Sequence, residues 1–109
     1  MHQPVITGTG VFTPTEALSA IAAGASGLKF FPASVLGASG IKAIMAVLPP
    51  EIIVGAVGGV SEVDFAEYQA AGISAFGMGS SLYKSGASAD EVRHKAKAVI
   101  SAYDKIFGA

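Results

Sequence analysis

The stretch Gly27-Leu28-Lys29-Phe30-Phe31-Pro32 decides how the chain is read. It is apolar apart from one lysine, opens on a glycine and closes on a proline, which is the length and punctuation of a β-strand. Strand alternation places Lys29 and Phe31 on one face, Leu28 and Phe30 on the other. Working outward, three further short apolar runs stand out: Pro4 to Gly8, Ile52 to Val57 and Ile73 to Met78. The four runs begin 21 to 25 residues apart, room for one strand, a crossover helix and two tight loops. The pattern predicts a parallel α/β fold.

The intervening segments carry their own helix signals. Thr13-Pro14-Thr15-Glu16 puts Thr at the N-cap, Pro at the first helical position and Glu at the third, where it can bond back to the cap. Ser88-Ala89-Asp90-Glu91 repeats the device before a helix from about Ala89 to Ile106, and Ser61-Glu62-Val63-Asp64 is a looser version. Gly24 and Gly72, each after an Ala-Ala pair, can take the left-handed conformation that ends a helix. Pro49-Pro50 ends a helix predicted from about Ser39 to Leu48, because a proline excludes its predecessor from the α region. Ala22-Ala23-Gly24-Ala25-Ser26 and Ala70-Ala71-Gly72-Ile73-Ser74 form a weak repeat two βα units apart.

Four such units make half of an eightfold barrel, which typically needs about 250 residues; this chain has 109. The expectation is an α/β chain, residues 1–109 forming one (βα)4 half of a TIM (βα)8 barrel, with parallel strands and crossover helices. Helices from four units cover one sheet face only. The other face, expected to carry Val5, Phe31 or Phe30 and residues of the last two runs, is left open along with two edges. The chain is therefore predicted to self-associate as a dimer of halves or a trimer. Two copies pairing edge strands would form a pseudo-barrel of eight.

Composition narrows the function classes. Hydrophobic residues make up 51% and charged residues 14%, below the globular average of about 25% charged, so the chain is not disordered. A net charge of −1 leaves no footprint for nucleic acid or an acidic membrane surface. Zero cysteines exclude a disulfide framework and thiolate metal sites. No apolar run reaches the roughly 18 residues of a membrane span, and Met1-His2-Gln3-Pro4 lacks the basic start of a signal peptide. A cytoplasmic location is expected.

Lys29 is the most informative single residue. It is either an edge-strand gatekeeper with its ammonium in water or an imine-forming lysine. In the second case burial disfavours the ammonium and leaves a neutral amine able to attack a carbonyl. Periodicity alone leaves both open. Two glycine-rich turns, Val57-Gly58-Gly59-Val60-Ser61 and Gly77-Met78-Gly79-Ser80-Ser81, follow the last two strand-like runs. Glycines admit an anion close to the backbone, helix-start N–H groups donate to it, and a pair of such loops is the usual phosphate site of phosphate-binding barrels. His2 and His94 read as surface residues, and Glu16, Glu62, Glu67 and Glu91 as caps or helix exteriors. No carboxylate is read at a strand end, where barrel enzymes hold their acids and bases. The sequence shows no P-loop, dinucleotide fingerprint, metal-ligand cluster or Ser/His/Asp arrangement, and no cofactor is expected.

Taken together, four blocks resemble the C-terminal half of the KDPG/KDPGal aldolase family. They are Gly10-Val11-Phe12-Thr13-Pro14-Thr15-Glu16-Ala17; Leu28-Lys29-Phe30-Phe31-Pro32-Ala33 with Ile41-Lys42-Ala43 and Val47-Leu48-Pro49; Val57-Gly58-Gly59-Val60; and Phe76-Gly77-Met78-Gly79-Ser80-Ser81-Leu82-Tyr83. The resemblance spans nearly the whole chain in order. It implies class I chemistry: cleavage of a phosphorylated 2-keto-3-deoxy sugar acid to pyruvate and glyceraldehyde 3-phosphate through an imine on Lys29. It also implies that Gly58, Gly59, Gly79 and Ser80 line the phosphate site and that Phe31 packs beside the pyruvyl group. Val57, where phosphogluconate-specific members tend to have Thr, and Gly-Ser-x-Leu-Tyr are closer to the phosphogalactonate branch. Thr9 stands where the family usually has Pro. The family's general acid/base Glu and substrate-binding Arg residues belong to the first four strands, so low activity is expected of this chain alone. Two other readings stand beside it: a non-catalytic, self-associating half-barrel, and a phosphate-binding module that uses the glycine loops without covalent chemistry.

Overall fold

A computed structural model describes residues 8–108. Its elements run β1 (Gly8–Val11), α1 (Pro14–Ala22), β2 (Gly27–Phe30), α2 (Ala33–Met45), β3 (Ile53–Val57), a 3₁₀ turn (Glu62–Asp64), α3 (Phe65–Ala70), β4 (Ala75–Gly77) and α4 (Ala89–Phe107). The strands form one parallel sheet in the order β1-β2-β3-β4, each joined to the next by a helical crossover. The fold is the α/β half-barrel the alternation predicts.

Local chemistry accounts for most boundaries. Thr13 Oγ1 accepts from the Glu16 N–H at 3.1 Å, with Pro14 opening α1, and Ser88 Oγ accepts from the Glu91 N–H at 3.1 Å to start α4. Ser61 and Asp64 form a reciprocal capping box before α3.

Two boundaries differ from expectation. The first strand was expected at Pro4 to Gly8, of which only Gly8 lies within the described residues; the described strand continues from there to Val11. Glycine is poor in strands, yet pairing Gly8↔Gly27 through Val11↔Phe30 holds Gly8-Thr9-Gly10 extended. The helix expected at Ser39 to Leu48 instead begins at Ala33 and ends at Met45, with a break at Gly37 (φ 72°, ψ 164°). Ahead of Gly37 is one turn set by Pro32. Beyond Met45 the chain tightens into i→i+3 bonds, Val47 N–H to Ile44 O and Leu48 N–H to Met45 O, both 3.1 Å.

The core lies on one face of the sheet. Val11, Leu28, Phe30, Val54 and Ala56 are each at most 3% exposed, packed under Ala17, Ala33, Ile41, Phe65 and Ile73. Phe65, Phe76, Tyr103 and Phe107 stack in a chain that docks α3 and α4 on this face. The register assembles the opposite face from rows of small residues: Gly8, Gly27 and Ile53; Gly10, Lys29, Gly55 and Ala75; then Val57 and Gly77. Of the two alternatives expected on the open face, Phe31 or Phe30, it is Phe31 that is exposed, at 53%, while Phe30 is at 0% exposure beneath the helices, as the alternation around Lys29 requires. Val5, also expected there, lies outside the described residues. What the open face shows is glycine floor, Lys29 and a 64% exposed Ile53.

Candidate active site

Lys29 stands on the open face, flanked in its row by Gly10 and Gly55. A Cβ placed on Gly10 would meet Lys29 Cε at 3.5 Å, so the lysine stem lies over β1. The expectation of a buried amine is corrected here. Lys29 is exposed, because among the described residues no layer covers the face it points from.

Two cavities meet at the C-terminal end of the sheet. One, of about 310 Å³, is lined by Gly10, Val11, Phe12, Glu16, Lys29, Phe31 and Val57. The other, of about 330 Å³, is lined by Phe31, Val57, Gly58, Gly59, Val60, Gly77, Met78, Gly79 and Ser80. Phe31 and Val57 belong to both, so the amine and the glycine loops are two ends of one groove. All seven residues singled out from the sequence line it. A third cavity, of about 270 Å³ and also touched by Lys29, runs down the open face between Gly8, Ile53 and Ala75.

The glycines at the loop end of the groove are fixed by packing. Gly58 has φ +96° and a Cβ there would lie 2.9 Å from Phe31 Cδ2; Gly59 has φ +70° and a Cβ would run into Ser34 Oγ. The Ser34 N–H also donates to Gly58 O at 3.1 Å, so the turn after β2 props the loop after β3. Ser81 Oγ donates to Val60 O at 2.9 Å and ties the two glycine loops together. Ser34 and Ser81 carry no signature in sequence, since each acts on a backbone group of another βα unit.

Neither loop opens straight into a long helix, as the sequence reading expected. The first passes through the 3₁₀ turn, and the second closes on itself, with Leu82 and Tyr83 N–H groups donating to Gly79 O at 2.9 and 3.0 Å, before α4 begins at Ala89. The two loops at this end of the groove are therefore turns, not the first turns of long helices.

A second correction concerns Glu16, read from sequence as a cap. It is one, but its Oε1 accepts from the Phe12 N–H at 3.2 Å and the Thr13 hydroxyl at 3.1 Å, and this folds the carboxylate back over the end of β1 into the cavity of Lys29. A carboxylate does stand at a strand end. Among the described residues no cluster of three or more His, Cys, Asp or Glu is placed to hold a metal ion, and no helix is long and apolar enough to cross a membrane.

Comparison with known proteins adds the following. Residues 2–99 match the sequence family described as KDPG and KHG aldolase. The chain is 66% identical over 104 residues to a probable 2-dehydro-3-deoxy-6-phosphogalactonate aldolase of Rhizobium meliloti (strain 1021), covering 95% of this chain and 49% of the relative. It is 46% identical over 94 residues to the 2-dehydro-3-deoxy-6-phosphogalactonate aldolase of Escherichia coli (strain K12), covering 86% and 46%. Among solved structures, one described as native KDPGal superposes with a TM-score of 0.89 at 41% identity, over 95% of this chain and 50% of that one. A cube-shaped protein cage designed by fusing symmetric oligomeric domains superposes at 0.85 with 44% identity, over 90% and 36%. The chain thus spans about half the length of the curated relatives it matches.

Proposed function

The chain belongs to the KDPG and KHG aldolase family, and on that premise we propose that it carries the imine-forming and phosphate-binding half of a class I aldolase site. The substrate is 2-dehydro-3-deoxy-6-phosphogalactonate or its gluconate epimer, cleaved to pyruvate and glyceraldehyde 3-phosphate. The Lys29 amine attacks the C2 carbonyl, water leaves, and the iminium accepts the electron pair of the breaking C3–C4 bond. The phosphate rests on the amides of the Gly58-Gly59 and Gly79-Ser80 turns. Phe31 and Val57 hold the carbon chain between them. One observation carries this reading: the lysine cavity and the glycine-loop cavity share Phe31 and Val57, so a ligand anchored at one end lies along the other.

The open sheet face asks for a cover, since parallel sheets occur almost only with both faces buried. A second copy of the chain supplies it in our reading, and a trimer is a further arrangement; the designed cage built from oligomeric domains, similar over most of this chain, is in keeping with self-association. Closing the face would also exclude water from Lys29. A chain with no cysteine suits the cytoplasm, where disulfides are rare.

The test is pyruvate release from 2-dehydro-3-deoxy-6-phosphogalactonate by the purified chain and by Lys29→Ala. Release by the parent, suppressed by inorganic phosphate and absent in the variant, is expected. Release that survives Lys29→Ala overturns the assignment. No release, together with no imine, leaves the non-catalytic self-associating module as the function.

A further inference from the structure

The two ends of the groove meet at Phe31 and Val57. Among the described residues Val57 alone lines all three cavities of the open face, so the place of its methyl groups decides whether the Lys29 end and the glycine-loop end communicate. Val57 pairs with Gly77 where β3 and β4 end. A Cβ built on Gly77 would lie 2.8 Å from Val57 Cγ2 and 3.2 Å from Val57 Cγ1, inside the roughly 3.5–4.0 Å at which carbon atoms attract. Val57 therefore occupies the space that a side chain at position 77 would need.

The opposite wall has no slack to absorb a shift. Phe31 follows Phe30, which pairs with Ala56, so the strand order puts Phe31 on the β2 side of Val57 and Gly77 on its β4 side. The Phe31 ring already fills the space of a side chain at Gly58, where a Cβ would lie 2.9 Å from Cδ2 and 3.0 Å from Cε2. A methyl added at Gly77 thus drives Val57 away from β4, toward Phe31. Val57 is branched at Cβ and cannot turn one methyl clear without swinging the other round. Gly77 has no positive φ, unlike Gly58 and Gly59, so its backbone makes no demand for glycine. What position 77 supplies is room for Val57.

We propose that Gly77 is a positioning residue: by lacking a side chain it lets Val57 stand back from Phe31 and keeps the passage between the Lys29 cavity and the glycine loops open to one ligand that spans both, a role that rests on the aldolase reading. Gly77 acts through Val57 and needs no contact with the ligand. A small keto acid at Lys29 uses one end of the groove and is indifferent to the passage. A keto acid with a phosphate at its far end must thread it, and its advantage over the small one measures how open the passage is.

The experiment uses two probes on the 109-residue chain: pyruvate, and 2-oxo-6-phosphohexanoate, a keto acid with no C4 hydroxyl and so no aldol bond to cleave. Each condenses with the Lys29 amine with loss of one water, borohydride reduces the imine to a secondary amine, and mass mapping gives the concentration that half-saturates Lys29. The parent is expected to need less of the phosphorylated probe than of pyruvate. Gly77→Ala is expected to raise the requirement for the phosphorylated probe about tenfold, the scale of one methyl forced into a filled contact, and to leave that for pyruvate within about twofold. Gly77→Ala with Val57→Ala removes the collision and is expected to recover most of the loss, because the two positions couple directly. A parent-like response of Gly77→Ala to the phosphorylated probe overturns the proposal and leaves the aldolase reading standing. An equal rise for both probes overturns it too, since a general disturbance of the sheet would explain both, and so does a double variant that recovers nothing. A parent that reacts with pyruvate and does not favour the phosphorylated probe, or that forms no adduct at all, overturns the aldolase reading and this proposal together.

Discussion

The two faces of one four-stranded sheet differ in every respect that matters. On the helix-covered face, Leu28, Phe30, Val54 and Ala56 are at most 3% exposed and belong to a core built with side chains from all four helices, α4 contributing through its last turns. On the open face the same strands offer glycines, Lys29 and a 64% exposed Ile53. Burying an aliphatic or aromatic side chain is worth about 1.5–3 kcal/mol, so the covered face supplies the fold. The open face contributes little to the stability of a single chain and holds the groups with chemistry. Residues a single position apart in sequence, Lys29 and Phe30, belong to these two opposite regimes.

The largest effect that can break this contrast is at Phe30. Replacement by Ala in a filled core costs about 3–5 kcal/mol, enough to unfold a chain of this size. Ile53→Ala, on the open side of the next strand, is expected to cost within about 0.5 kcal/mol in dilute solution, as exposed substitutions do. Urea unfolding of both variants decides. An Ile53→Ala loss that grows with protein concentration would show that a second copy covers the face.

The next effect separates two glycines of the proposed anion site. Gly59→Ala puts a Cβ at positive φ against Ser34 Oγ, a conformation that costs about 1–2 kcal/mol for an L-residue before the collision is counted. It should abolish inorganic phosphate binding measured by calorimetry. Gly79→Ala meets nothing within 4 Å and has no positive φ, so its stability should match the parent. Equal losses at the two positions would contradict the packing described.

The smallest effect is at Tyr68, whose hydroxyl donates to Ala33 O at 3.3 Å and ties α3 to the start of α2. Burial, then the charges of Asp64 and Glu67, hold its phenol above the usual tyrosine range. An unfolded tyrosine releases its proton near pH 10 while the folded one retains it. This contribution to stability is therefore intact below about pH 10 and lost as pH rises through the raised folded value. Tyr68→Phe should cost about 1 kcal/mol at neutral pH and flatten part of the alkaline decline in thermal stability. An unchanged alkaline limb would remove Tyr68 from its cause.

What was legible in sequence follows from range. Thr13 and Ser88 announce α1 and α4 because a cap is a contact over three residues. Lys29 and Phe30 sort onto opposite faces because a strand alternates. The extension of β1 from Gly8 to Val11 was not foreseen, because Gly8-Thr9-Gly10 is held extended by pairing with the neighbouring strand, where Gly10 also makes room for the Lys29 stem. The break at Gly37 had no marker, since an isolated glycine is tolerated in many helices. Glu16 was recognised as a cap and missed as part of the cavity, because the turn of chain from β1 into α1 aims it. The exposure of Lys29 depends on what covers the sheet, which no periodicity in these residues records.

The central claim is that the open face is a covalent site and that one lysine on it reacts. Six lysines are present: Lys29, Lys42, Lys84, Lys95, Lys97 and Lys105. Incubation with pyruvate, reduction with borohydride and mass mapping of the digested chain tests the claim directly. A single adduct on Lys29, lost in Lys29→Ala, is the predicted result. An adduct distributed evenly over Lys42, Lys84, Lys95, Lys97 and Lys105 would contradict it.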